Sequence, residues 1–271
     1  MFQEIAPHTF SNAYLPTEPK AGDIVLSFAG NDVLLKDETT FFHVLDLPDT
    51  DDLVYLFRVD HTACFLTRKE MPNAYHTPVS STRGASDVVY AFIIPVGWQL
   101  YRWYASHIYC GKCAHPLAHS ENERALVCPE CGTIIYPTIS PAVIVGVLNE
   151  KNELLLTKYA HGNRDFYALV AGFQEIGETI EETVHREVYE ETGLHVSSLH
   201  FYKSQPWPFS SSSLMGFFCK ADSHEQIQLL DGELKEAVWV DRSHDLRHTE
   251  NYSLTAEMMQ FYRNGGTDSI F

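Results

Sequence analysis

From its start to about residue 105 the chain alternates short apolar runs with polar or Pro/Gly punctuation: DIVLSF, DVLLKD, FFHVLDL, LVYLFRVD and ACFLT. Runs of this length bounded by turn residues predict strands. Residues 97–109, GWQLYRWYASHIY, predict an amphipathic helix that closes the region. Beyond Pro137 and Pro141, AVIVGVLNEKNELLLTKY predicts two strands around an NEKN turn. FYALVAGF, LHFYKS, SLMGFFCKA and EAVWV predict further strands, and SLTAEMMQFYRN a last helix. Among them lies ETIEETVHREVYEETGL, residues 178–194. Thr179 followed by Glu182 is a capping box, Gly193 stands where a helix C-cap glycine belongs, and Ile180, Val184 and Val188 form one apolar stripe. The pattern divides the chain into a mainly β region (1–105), a short middle segment (106–136) and a mixed α/β region (137–271).

The polar side of that helix is unusual. Glu187, Glu190 and Glu191 crowd together with Arg186 as the local cation. At about 100° per residue Glu191 projects close to the apolar stripe. A half-buried carboxylate is costly, and like charges at i and i+4 repel. A hard divalent cation would remove both penalties, because such ions take carboxylate and phosphate oxygens. On the helix alone, a solvated acidic face and a cation site both stay open.

Composition narrows the partners. The 271 residues carry 45% hydrophobic and 20% charged residues and a formal charge of −17. An ordinary globular protein of one large or two smaller domains follows, and binding to nucleic acid through a basic field is excluded. An anionic substrate would need local attraction, which bound metal ions supply. MFQEIAPHTF has neither a basic start nor a long apolar run, and the apolar stretch around residues 88–98 is short and broken by Pro95. A cytoplasmic protein with no membrane partner is expected.

Four of the six cysteines fall in the middle segment as CxxC, fourteen residues, CxxC: Cys110, Cys113, Cys128 and Cys131. Two such turns complete a tetrahedral zinc site with no open position, so one structural zinc per subunit is expected. Iron–sulfur ligation suits two separated CxxC turns less well. Cys64 and Cys219, in apolar runs, read as buried core residues. His107, His115 and His119 read as surface residues.

Residues 172–194, GFQEIGETIEETVHREVYEETGL, resemble the Nudix box: Gly, five residues, Glu, seven residues, Arg-Glu, aliphatic, any, Glu-Glu, any, Gly, aliphatic. Gly172, Glu178, Arg186, Glu187, Val188, Glu190, Glu191, Gly193 and Leu194 fill every fixed position. The resemblance implies the Nudix fold, an α/β/α sandwich around a mixed sheet. Here it would be preceded by a four-cysteine zinc ribbon and a mainly β N-terminal domain. It implies that Glu187 and Glu191 are the principal ligands of catalytic Mg²⁺ or Mn²⁺, that Glu190 is a further ligand or the base that activates water, that Arg186 orients the carboxylates and that Glu178 supports the loop or joins the outer shell. The Ala171 carbonyl and a downstream glutamate complete the shell; of Glu233 and Glu236, Glu233 is favoured, six residues before Trp239.

Ten residues past the box begins SQPWPF, residues 204–209, which resembles the specificity signature of NADH pyrophosphatases; the zinc ribbon ahead of the box resembles the same family. The resemblance implies that Gln205, Pro206, Trp207, Pro208 and Phe209 contact the dinucleotide, with rigid aromatics suited to ring stacking. It extends to Ser210, Ser211, Ser212 and Ser213, where SSSS departs from the family's usual continuation. Glu123, Tyr136, Phe173 (stacking with Tyr136 across a substrate ring) and Ala256, the last from a partner subunit of a homodimer, match other contact positions.

The expected activity is metal-dependent hydrolysis of NADH or NAD to nicotinamide mononucleotide and AMP, with NAD-capped RNA as a further substrate. ADP-ribose or general dinucleotide hydrolysis is the enzymatic alternative. A zinc-ribbon protein that binds NAD or a nucleotide without cutting it is the other.

Overall fold

In the computed structural model, which describes residues 1–69, 71–160, 166–222, 226–230, 232–244 and 252–271, the chain separates at Thr138 into two compact units. One comprises Phe2–Thr138; the other comprises Ile139–Phe271 together with Met1.

The first unit is mainly β. Its larger sheet runs in the order Phe10–Ser11, Val54–Val59, Thr62–Leu66, Ile24–Leu26, Phe42–His43. A smaller one joins Phe28–Ala29, Asp32–Leu35 and Tyr75–Pro78. Helix α1 spans Val88–Ser106, so it starts nine residues before the expected 97 and ends three before the expected 109. Asp87 caps it, its carboxylate accepting from the N–H groups of Val89 and Tyr90. The helix carries Pro95 in its interior and buries residues on all sides, including Ile93, Ile94, Trp98, Trp103 and Tyr104. A helix apolar all round shows no stripe, so only its more polar second half is readable as amphipathic. The zinc-ribbon segment adds three short antiparallel strands, Ala118–His119, Leu126–Val127 and Ile134–Ile135. Arg124 joins it to the sheet, donating to the Asn12 side chain at 3.2 Å and to the Leu56 carbonyl.

The second unit is built on one mixed sheet. Its strands are β1 (Ser140–Leu148), β2 (Leu154–Tyr159), β3 (Val170–Phe173), β4 (Val196–Trp207), β5 (Ser212–Ala221) and β6 (Leu234–Val240). They run in the order β4-β5-β1-β2-β6, with β3 also paired to β1. β1 lies parallel to β5, from Ser140 opposite Ser212 to Leu148 opposite Lys220. The NEKN hairpin forms as expected, with Asn152 in the left-handed region that such a turn requires.

Two more helices, α2 (Ile180–Thr192) and α3 (Leu254–Arg263), cover the two faces. Along β1 the side chains alternate between them. Ala142, Ile144 and Leu148 pack in the cluster that holds Leu254, Met258, Met259 and Tyr262 of α3. Val143, Val145 and Val147 pack in the cluster that holds Val184 and Val188 of α2. Burial on both faces is why β1 reads as a continuous apolar run and not as an alternation. Each fully buried aliphatic side chain here contributes roughly 1.5–3 kcal/mol. The result is the expected α/β/α sandwich.

α2 begins and ends as its sequence dictates. The Thr179 hydroxyl accepts from Glu182 N–H at 3.2 Å, Glu182 accepts from Thr179 N–H at 2.7 Å, and Gly193 closes the helix at φ 69°. Among the described residues no helix is long and apolar enough to cross a membrane.

Candidate active site and zinc site

The loop from β3 into α2 carries the carboxylates, and Arg186 organises them. Its guanidinium grips Glu178 with two bonds, Nε to Oε1 at 2.6 Å and Nη2 to Oε2 at 2.9 Å. Nη1 donates to Glu187 at 2.8 Å and to Glu190 at 2.9 Å, and Nη2 also donates to the Phe173 carbonyl at 2.9 Å. A planar fork of five donors can serve three carboxylates and a carbonyl together; an ammonium cannot. Glu178 accepts further bonds from Glu175 N–H and the Thr183 hydroxyl, both at 3.0 Å. Arg186, followed by these bonds, holds the Glu178 carboxyl down at about 2.

Glu187 is in the opposite condition. Burial pushes its carboxyl above the usual range against the pull of Arg186, and the charges of Glu190 and Glu233 push it further. Glu233 therefore lies within electrostatic reach of the box, at the mouth of β6, where its carbonyl accepts from Ala160 N–H at 2.7 Å. Glu236 is otherwise occupied: it accepts the Tyr167 hydroxyl at 2.7 Å and pairs with Lys158 at 3.3 Å. Glu191 is only 2% exposed, in keeping with its expected place beside the apolar stripe. Glu190 is exposed. Ala171 lies on β3 opposite Ile144, one residue ahead of Gly172.

These residues fit a hard cation. The donors are carboxylate oxygens, the ligand type that such ions take, and one of them, on Glu191, is buried. Their arrangement is centred on Arg186. Among the described residues the cysteines alone form a set of three or more metal-ligating side chains gathered within 4.8 Å.

That set is Cys110, Cys113, Cys128 and Cys131. Cys110 and Cys131 lie 3.6 Å apart at sulfur, and Cys113 and Cys128 3.4 Å. Four thiolates around a tetrahedral zinc at ~2.3 Å would lie roughly 3.8 Å apart. The donor set and spacing fit zinc. Cys64 and Cys219 are buried, as expected.

The residues of SQPWPF are ordered differently from a loop. Ser204 to Trp207 belong to β4, and Pro206 stands opposite Ser213 within the ladder. The turn is confined to a single 3₁₀ turn, Pro208–Ser210, and Ser211 at φ 54°. Pro208 and Ser212 are buried, Ser210 and Ser212 join hydroxyls, and Ser213 lies half-buried on β5. Trp207 and Phe209 are half-buried, with ring centroids 5.1 Å apart. Gln205 is wholly buried and bonded to backbone, so it is not presented at the surface for a ligand. Phe173 is exposed. Ala256 is 5% exposed, buried on α3 within its own chain. In the first unit, the Tyr136 hydroxyl donates to Glu123 at 3.0 Å, both residues being exposed.

Sequence reasoning missed Thr183, Gln174 and Tyr252. Gln174 donates to the Glu178 carbonyl at 2.6 Å, and Tyr252 packs on Trp207 and Phe209. Thr183 alone had a signal: it stands one turn past the cap, on the side of the helix that faces Glu178.

Residues 138–260 match the NUDIX domain family, and residues 105–136 match the NADH pyrophosphatase zinc ribbon domain. The NAD-capped RNA hydrolase NudC of Chromobacterium violaceum is 43% identical over 143 residues, 53% of this chain and 53% of that protein. NudC of Salmonella heidelberg is 41% identical over 143 residues, 53% of this chain and 55% of that protein. A Nudix hydrolase structure from Nitrosomonas europaea aligns at a TM-score of 0.48 and 24% identity, over 59% of this chain and 92% of that one. The chain's match spans about half the length of these curated relatives. Residues 138–260 are thus similar to NUDIX domains. Directly ahead of that domain, residues 105–136 carry the zinc ribbon domain described for NADH pyrophosphatases.

Proposed function

We propose that this protein hydrolyses the diphosphate linkage of NADH and NAD, releasing nicotinamide mononucleotide and AMP, and removes NAD caps from RNA by the same cut. The carrying observation is the box itself: Arg186 holds Glu178, Glu187 and Glu190 around one guanidinium, next to the buried Glu191.

Glu187, Glu190, Glu191, Glu233 and the Ala171 carbonyl would hold Mg²⁺ or Mn²⁺. When bound, such ions neutralise diphosphate charge and lower the pKa of an attacking water. The chain's own part is positioning. Arg186 fixes the carboxylate directions, and Glu178, ionised down to about pH 2, anchors Arg186. Glu190, exposed at the edge of the cluster, is placed to take a proton from water. Trp207 and Phe209 offer rings for a base or nicotinamide, with the serine stretch at the rim. The family resemblance adds Phe173, Glu123 and Tyr136 as further contacts. The formal charge of −17 predicts weak grip on the body of an RNA. The resemblance also carries a homodimer, with Ala256 near the partner's site.

Incubation with NADH, NAD, ADP-ribose and NAD-capped RNA, with Mg²⁺, Mn²⁺ or chelator, tests the reading. Metal-dependent release of nicotinamide mononucleotide and AMP, faster than ADP-ribose cleavage, is expected. Preferred ADP-ribose cleavage would shift the assignment to that substrate, and binding without cleavage would make the protein a nucleotide sensor.

A further inference from the structure

At the end of β4 the side chains sort by alternation: Gln205 is 0% exposed, Pro206 is exposed and Trp207 is half-buried. The Gln205 carboxamide spends both ends on one short piece of backbone. Its Nε2 donates to the Tyr252 carbonyl at 3.0 Å, and its Oε1 accepts from Leu254 N–H at 2.7 Å. Those groups flank Ser253, the N-cap of α3, whose hydroxyl accepts from Ala256 N–H at 3.2 Å. A helix start leaves its first N–H groups without internal partners. Ser253 serves one here, and Gln205, 49 positions away in sequence, serves another. Serving a carbonyl and an N–H at once takes a side chain with a donor and an acceptor side by side, which a carboxamide has and a carboxylate or an alkyl group lacks.

Gln205 thus bonds the backbone of Tyr252. Its ring is 7% exposed and lies 6.0 Å from the Trp207 ring, edge-on at 67°, and 6.4 Å from Phe209. Trp207 and Phe209 are thus a half-exposed pair with a third, buried ring behind them. We propose that Gln205 is a positioning residue and Tyr252 a backing ring, which together fix the orientation of Trp207 and Phe209 and so set selectivity for the nicotinamide dinucleotide over ADP-ribose. The inference deepens the functional reading above and rests on Trp207 and Phe209 receiving a ring of the substrate. Gln205 acts through Tyr252, and Tyr252 through Trp207.

Gln205 bonds the carbonyl of Tyr252 and not its ring. Tyr252→Leu therefore leaves the clamp in place and isolates the ring, whereas Gln205→Leu removes the clamp. Both variants of the full chain, with zinc and Mg²⁺ bound, would be assayed on NADH and ADP-ribose. They would also be labelled with 5-fluorotryptophan for ¹⁹F NMR, with the Trp207 signal assigned through Trp207→Phe; the other three of the four tryptophans report on folding. An edge-on aromatic contact of ~1 kcal/mol predicts a KM for NADH raised roughly fivefold, kcat within about twofold, and a smaller change on ADP-ribose. The Trp207 signal should move in both variants before substrate is added. An unmoved Trp207 signal and unchanged KM in Tyr252→Leu would overturn the inference, as would an equal loss on both substrates through kcat. Titrating NADH into the unsubstituted chain with metal chelated tests the underlying reading separately: a Trp207 signal indifferent to NADH removes the ring-stacking role itself.

Discussion

Gly172 lies directly against the carboxylate of Glu187: a Cβ built on Gly172 would fall 1.9 Å from Glu187 Cδ and 2.1 Å from both its oxygens. The opening glycine of the box and the glutamate that follows its arginine are therefore one steric unit. Glycine is needed here for room and not for backbone freedom. Gly172→Ala should push the Glu187 carboxylate from its place. Displacement of about 1 Å costs roughly 100-fold in rate, so kcat should fall by about that factor with weaker Mg²⁺ affinity. Steady-state kinetics and metal titration check this; near-normal turnover would mean that Glu187 can swing aside without penalty.

Glu191 is 2% exposed and one turn from Glu187. Glu191→Gln preserves volume and removes charge. Turnover should drop by roughly three or more powers of ten, the order of loss seen when groups that act as a unit are removed. The circular dichroism spectrum should not change. Retained activity would take Glu191 out of the cation site.

The pH dependence of stability follows from Glu178. Its carboxyl titrates at about 2 in the folded chain, chiefly through Arg186, against 4.5 as the ordinary value. A depressed carboxyl stabilises the fold fully above the unfolded value, and the contribution is lost as pH falls towards the folded one. In chelator, Glu178→Gln should therefore melt below the unsubstituted chain at pH 7, and the gap should narrow as pH drops from 4.5 towards 2. Thermal unfolding across that window is the measurement, and a gap of constant size would place the stabilisation outside the ionised carboxylate.

Cys128 is buried and pairs with Cys113 at 3.4 Å. Cys128→Ser replaces one of four sulfur donors with a poorer ligand. Zinc content by elemental analysis should fall from about one per chain towards zero, and the first unit should lose stability, since metal affinity and folding are coupled. Full zinc content would exclude the four-cysteine site.

The four-cysteine set and the cap and close of α2 were legible in the sequence because their geometry is local. CxxC turns, the Thr179–Glu182 cap, the Gly193 close and carboxylates spaced along one helix depend on neighbours within a turn or two. What depends on distant contacts was not. The first half of α1 had no polar face to mark it, because residues 90–95 are all buried. AVIVGVL read as a strand, but only the fold shows α2 over Val143, Val145 and Val147 and α3 over Ala142 and Ile144. Two prolines in SQPWPF favour a stiff loop, yet pairing with β5 draws Ser204–Trp207 into a strand and turns Gln205 inward. The sequence by itself determined which residues could do the chemistry. Tertiary structure decided which of them stay exposed and which are buried against partners, because burial and partner choice are settled between segments that meet only after the chain has folded.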